Sequence, residues 1–219
     1  DELPGSAIIA PKFPSRPSNL IFTEGHTNQK ISFPNIPELE KEIGRGILLH
    51  FFANHELLAL ELMALFLLKF PNAPKKMRLG VAQTMLEEQE HLQMYLTRMN
   101  ELGVDFGEVP VNDFFWKHMS TMKSELDFFV KMSLTFEQAN LDYALFYKDL
   151  MKKIGDMETG SILHKVYEDE IGHVKHGVHW FNHLRDKKES QWTCYSKNLT
   201  FPLNPSRAKG LFFSREARV

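Results

Sequence analysis

The sequence predicts an all-α protein, an antiparallel four-helix bundle with an extended N-terminal arm and a C-terminal tail. Three observations carry this. Six of the 11 prolines lie in residues 1–37, and none lies between Val111 and Phe201. An interior proline costs a helix about 3 kcal/mol, so the first segment reads as extended and the middle as helical. Apolar residues recur at helical spacing, at Leu86, Tyr95 and Met99, then Phe128, Met132, Phe136 and Leu145, then Ile162, Val166, Val174 and Phe181. Stop signals then divide the helical territory into four long rods with two short hairpins and one longer crossover, for which a bundle is the economical packing.

Asn35 and Glu38 stand at capping-box spacing with Pro37 in the first turn, which predicts helix A from about Glu38 to Lys69, stopped by Phe70-Pro71. Helix B runs from about Pro74 to Leu102 and ends at Gly103. A linker through Gly107, Pro110 and the aromatics Phe114, Phe115 and Trp116 leads to helix C, from about Ser124 to Ile154, ended by Gly155; helix D follows from about Asp156 to Arg185. The domain reading is an arm over 1–36, the bundle over 37–186, and a tail over 187–219 laid on the bundle. The many Phe and Met side chains read chiefly as core filling.

Composition excludes several classes. The 219 residues include 26 Lys+Arg and 28 Asp+Glu, a formal charge of −2, with 43% hydrophobic residues. That supports a sizeable core, and gives no reason to expect a nucleic-acid or membrane-surface partner. The single cysteine, Cys194, cannot form an internal disulfide or a thiolate cluster, so a reducing, cytoplasmic setting is expected and any metal must use His and carboxylate. No uninterrupted apolar run reaches the roughly 18 residues of a membrane span; the nearest, Leu57 to Leu68, contains Glu61.

Helices B and D each carry a Glu-x-x-His, Glu88 with His91 and Glu170 with His173. Three residues are about 60° apart around a helix, so both side chains reach one point beside the axis. Alone, such a pair is usually a surface feature. Glu56 on helix A and Glu137 on helix C, however, sit among apolar neighbours, where an unpartnered carboxylate costs several kcal/mol. Glu56 precedes Glu88 by 32 residues and Glu137 precedes Glu170 by 33. Two similar hairpins facing one another would bring all six groups together at mid-bundle. Four carboxylates and two imidazoles are too oxygen-rich for structural zinc and suit two cations, iron first, with manganese or a mixed Mn/Fe pair behind it.

The runs His50-Phe51-Phe52-Ala53-Asn54-His55-Glu56, Leu134-Thr135-Phe136-Glu137-Gln138-Ala139-Asn140-Leu141-Asp142 and Asp169-Glu170-Ile171-Gly172-His173-Val174 resemble a ferritin-like family called domain of unknown function 455. The resemblance covers about residues 40–185. It implies the ferritin-like fold and a di-metal centre, and brings no settled reaction. Similar acid-Glu-x-x-His runs in the wider di-iron superfamily use the leading acid to hold the histidine of the opposite hairpin, which implies Asp169 with His91 and Glu87 with His173.

Glu61 competes with Glu56 for the helix A position. The two are about 140° apart around the helix, so only one faces a given site. Glu56 is preferred because its Glu-x-x-Ala run resembles the first ligand helix of rubrerythrin-like proteins. Glu61 then needs a basic partner or a histidine such as His50. His173, His176, His179 and His183 form a stripe that drifts round helix D, so the last three read as exposed or structural. Gly172 and Gly177 read as making room for a ligand or for a close helix crossing, the crossing preferred. Tyr95, Tyr143, Tyr147 and Tyr167 read as core residues before relays.

The functional expectation is a non-haem di-iron oxidase or oxygenase, such as a hydroxylase, using dioxygen, an external electron donor and a small organic substrate. A ferroxidase or iron-handling role and a rubrerythrin-like peroxidase are the alternatives. A homodimer is compatible with this reading.

Overall fold

The computed structural model describes residues 8–21, 33–210, 213 and 215. Residues 1–7 and 22–32 of the expected arm, and 211–212, 214 and 216–219 of the expected tail, lie outside the described residues. Seven α-helices form the described chain: α1 Glu42–Lys69, α2 Lys75–Glu101, α3 Phe114–Met119, α4 Glu125–Lys131, α5 Gln138–Lys153, α6 Met157–Leu184 and α7 Gln191–Lys197. No strand occurs among the described residues.

The long helices pair as α1 with α2 and α5 with α6, and the two hairpins close face to face through α2 and α6. The ends follow local chemistry. The Asn35–Glu38 capping box is present, but it caps a 3-10 turn over Ile36–Glu40, and α1 starts after it. Gly103 at φ 77° and Gly155 at φ 88° end α2 and α5, a backbone region that side chains with a Cβ disfavour.

Helix α1 is apolar on every side. It is the one described helix long and apolar enough to cross a membrane by length and composition, a wider test than an unbroken run, and 56% of its most apolar window is buried within the fold. Leu48, Leu49, Leu58 and Leu62 are fully buried on it, as the central rod of a bundle requires.

Helix C departs from a single rod. Between α4 and α5, residues Met132–Glu137 form a π-helical turn, in which the Gln138 N–H bonds the Ser133 carbonyl five residues back. The added residue shifts the facing of everything after it. Thr135 turns its hydroxyl onto the Val130 carbonyl at 2.8 Å and meets the Tyr195 hydroxyl at 3.0 Å, so α7 of the tail is seated on this turn. Gly177 of α6 makes room for it: a Cβ there would lie 2.0 Å from the Ser133 Cβ. Gly172, by contrast, faces open space, so the expectation of a close crossing fails at that position.

The buried face of α2 is Met77, Val81, Thr84, Glu88, His91, Tyr95 and Met99. Leu86, expected in the apolar stripe, is 56% exposed, because Glu88 and His91 hold the inward positions of that turn. At one end of the bundle Asp156, the N-cap of α6, accepts from the Thr159 N–H at 3.0 Å, while Arg98 of α2 and Arg45 of α1 stand 3.1 and 2.7 Å from its oxygens. One buried carboxylate thereby ties three helices together. The described part of the arm is tied down at several points: Trp116 Nε1 donates to the Lys12 carbonyl at 3.0 Å, Arg16 binds Glu61 through two hydrogen bonds of 2.6 and 2.5 Å, and Asn19 donates to the Phe106 carbonyl at 3.3 Å.

Candidate metal centre

Four helical stretches each aim one acid at mid-bundle: Glu56 from α1, Glu88 from α2, Glu137 from the π turn and Glu170 from α6. All four are buried, as are His91 and His173. Their tips form two overlapping groups. Glu56, Glu88, His91 and Glu170 bring one ligating atom each within 4.8 Å of one another, and Glu88, Glu137 and His173 do the same. Glu88 belongs to both.

The imidazoles are held from behind. His91 Nε2 lies 2.9 Å from Asp169 Oδ2, and His173 Nε2 lies 2.8 Å from Glu87 Oε2. Each pair joins α2 to α6, and each directs the other ring nitrogen, Nδ1, toward the carboxylates. His91 Nδ1 is 3.1 Å from Glu88 Oε2, and His173 Nδ1 is 3.4 Å from both Glu88 and Glu170. Lys165 adds a second partner to Asp169.

Electrostatics follow from burial and crowding. Burial raises the Glu56 pKa well above the usual carboxylate range, with Glu88 and Glu170 adding like-charge repulsion. Burial and Glu170 push Glu137 up to about 8. Burial alone would also raise Glu88, but His173 and His91 outweigh it and keep that carboxyl ionised. Burial likewise disfavours the His173 cation, yet Glu170 and Glu88 outweigh it and hold its pKa well above the ordinary imidazole value. Such a cluster has to bind protons or cations.

The donor set fits cations. Glu137 Oε2, Glu170 Oε2 and His173 Nδ1 are buried atoms of the cluster with no hydrogen-bond partner, which in a low-dielectric interior is costly. Bound cations would satisfy these atoms, and four carboxylates offset the charge of two divalent ions.

A family model described as "Protein of unknown function (DUF455)" matches residues 5–219. The chain belongs to that family. No curated protein and no solved structure matches this DUF455 chain significantly.

The remaining candidates separate cleanly. Glu61 is turned away from the cluster onto Arg16, as a carboxylate about 140° round from Glu56 must be. His50 accepts from the Gly107 N–H at 3.0 Å. His176 receives the Trp180 indole N–H at 2.9 Å, and His179 and His183 are exposed, so no metal group forms on that stripe among the described residues. Tyr95 is buried near Glu56, and burial followed by that charge raises its pKa well above the phenol range. Tyr147 lies in the core.

Two features of the site were not foreseen from sequence. Asn140 donates to Glu170 Oε1 at 2.7 Å. It stands three residues after Glu137, hence on the same face, and that spacing was the available signal. The second is a cavity of about 760 Å³ that reaches Glu56, Glu88, Glu137 and Glu170 and is walled by Phe rings. His55 stacks on Phe115 in this wall, centroids 4.8 Å apart, and burial pushes its pKa down to about 4, so it is neutral there. Tyr143 also lines it.

Proposed function

We propose that this DUF455 protein is a ferritin-like non-haem di-iron oxidase or oxygenase acting on a small organic substrate, with Glu56, Glu88, His91, Glu137, Glu170 and His173 as metal ligands. The observation that carries the reading is the sharing of Glu88 between two groups of donors, which would let one carboxylate serve two ions. Manganese or a mixed Mn/Fe pair would suit the same donors.

Two iron ions held there supply the capacity to activate dioxygen. The chain supplies the rest. Asp169 and Glu87 accept the Nε2 protons of His91 and His173, which leaves each Nδ1 lone pair for a ligand bond and raises its basicity. Glu56 and Glu137, the acids whose pKa values are raised, give up protons as cations bind. The Phe rings give the space beside the acids a largely apolar wall. A hydroxylation there consumes dioxygen, two electrons from an external donor and two protons, putting one oxygen into a C–H bond and releasing the other as water.

The cavity supports an organic substrate over a ferroxidase or storage role, because an iron ion needs a polar entry path and not an aromatic chamber. We place the protein in a reducing, cytoplasmic setting, consistent with the free, buried Cys194.

Metal analysis of protein purified from its native host tests this, with optical spectra before and after reduction and after exposure to oxygen. Bound iron whose spectrum cycles with oxidation is expected. Protein free of transition metal, or a multi-subunit shell on size-exclusion chromatography, would overturn the enzyme reading.

A further inference from the structure

The mouth of the cavity is built from the tail. Leu203 is buried in the main core, and the Gly210 N–H donates to the buried Asp142 carboxylate at 2.9 Å, so the segment between them is anchored at both ends. Within it a 3-10 turn over Pro205–Ala208 is capped by Asn204, whose Oδ1 accepts from the Ser206 N–H at 2.9 Å. This fixed turn presents Arg207 and Lys209 to the cavity.

Both side chains are exposed, and neither forms a salt bridge with a carboxylate among the described residues. Arg207 lies over the Phe114 ring, 5.1 Å from its centroid, and Phe114 is itself part of the cavity wall. The chamber is therefore polar at both ends and apolar between them. Its floor is the acid cluster, its walls are Phe33, Phe51, Phe114, Phe115 and Phe136, and its rim carries two cations. Ring walls favour a flat aromatic body by offset or edge contacts, while a guanidinium and an ammonium two residues apart on the rim, the latter over the Phe213 ring at 4.9 Å, favour an anion. A volume of about 760 Å³ is that of a small-molecule pocket.

We propose that the cavity binds an aromatic monocarboxylate, its ring between the Phe walls and its carboxylate on Arg207 and Lys209, so that the far edge of the ring faces Glu56 and Glu137. The proposal rests on the di-iron reading for what becomes of the ligand, whereas binding rests on the cavity alone.

The test is calorimetric titration of the full-length protein with naphthalene-2-carboxylate and with its uncharged isostere naphthalene-2-carboxamide, metal content being measured on the same samples. The carboxylate should bind about two- to fivefold more tightly than the amide, the scale of an exposed ion pair. Arg207→Gln with Lys209→Gln should abolish that preference and leave metal content unchanged, and Arg207→Lys should keep most of it. The preference should also weaken as salt rises. Equal binding of acid and amide, no binding of either, or an undiminished preference in the double variant would overturn the proposal. Preferential carboxylate binding in protein that holds no metal would support the cavity assignment while removing the di-iron reading, so the two fail separately.

Discussion

Asp169 Oδ2 on α6 lies 2.9 Å from His91 Nε2 on α2, so an imidazole of one hairpin is oriented by an acid of the other. Glu87 and His173 repeat the relation in the opposite direction at 2.8 Å. The two bonds cross the seam between hairpins as a reciprocal pair, and each acid immediately precedes the Glu of its own Glu-x-x-His. Replacing either acid by its amide, Asp169→Asn or Glu87→Gln, keeps the shape but removes the charge that favours the Nε2 tautomer. Metal affinity should fall about 10- to 100-fold in each, read by competition with a chelator of known affinity. Unchanged affinity in both would mean that the acids serve only the surface.

Because Glu88 is common to both groups of donors, substitutions in the cluster should differ in degree. On the proposed two-ion reading, Glu88→Ala would lose both ions, and Glu137→Ala or His173→Ala chiefly the one on their side, as measured by metal-to-protein ratio after gel filtration. His179→Ala, an exposed change on the same helix as His173, should lose neither. Equal loss in all of them would move the site onto the histidine stripe of α6.

Gly177 and Gly172 should respond to alanine with opposite signs. At Gly177 the new Cβ would meet the Ser133 Cβ at 2.0 Å, and Ser133 stands in the π turn that carries Glu137, so that turn must shift. Gly177→Ala should destabilise the fold by about 1–3 kcal/mol in urea unfolding and lower metal content with it. Gly172→Ala meets no atom within 4 Å and should stabilise the helix by about 1 kcal/mol.

Asp156 sets a pH dependence away from the buried acid cluster. Burial alone would raise its pKa, but bonds from the Thr159 N–H and hydroxyl, with the Arg98 and Arg45 charges, outweigh it and hold the carboxyl below its usual value. A depressed carboxylate contributes stability that is fully present above its unfolded pKa of about 3.9 and is lost as pH falls through the folded value. Asp156→Asn should cost about 1–3 kcal/mol at neutral pH: the amide can still cap α6, but Arg45 loses its carboxylate and Arg98 keeps only Glu101 and Glu158. It should also flatten the fall in stability below about pH 4, measured by denaturant titration across pH.

Helices A, B and D, the glycine stops after B and C, the Asn35 capping box and the acids and imidazoles at their observed spacings were legible in the sequence, whereas the single rod expected for helix C is interrupted by the π turn. Proline exclusion, apolar period and helix rise act over a few residues, and they place Glu56, Glu88, His91, Glu137, Glu170 and His173 at matching heights on two hairpins. Other features needed the whole chain. Nothing in Met132–Glu137 announces a π turn; it exists because Gly177 gives Ser133 room and Tyr195, 60 residues on, takes the Thr135 hydroxyl. Leu86 stays outside because burying Glu88 and His91 decides which face of α2 turns inward, a choice made by the partners across the seam. The cavity rim is likewise a product of folding, since Arg207 and Lys209 reach it only because Leu203 and Gly210 are pinned to the bundle. Local rules act through the backbone of a single turn. Long-range seats depend on which surfaces meet after chain closure, and no short window of residues contains that choice.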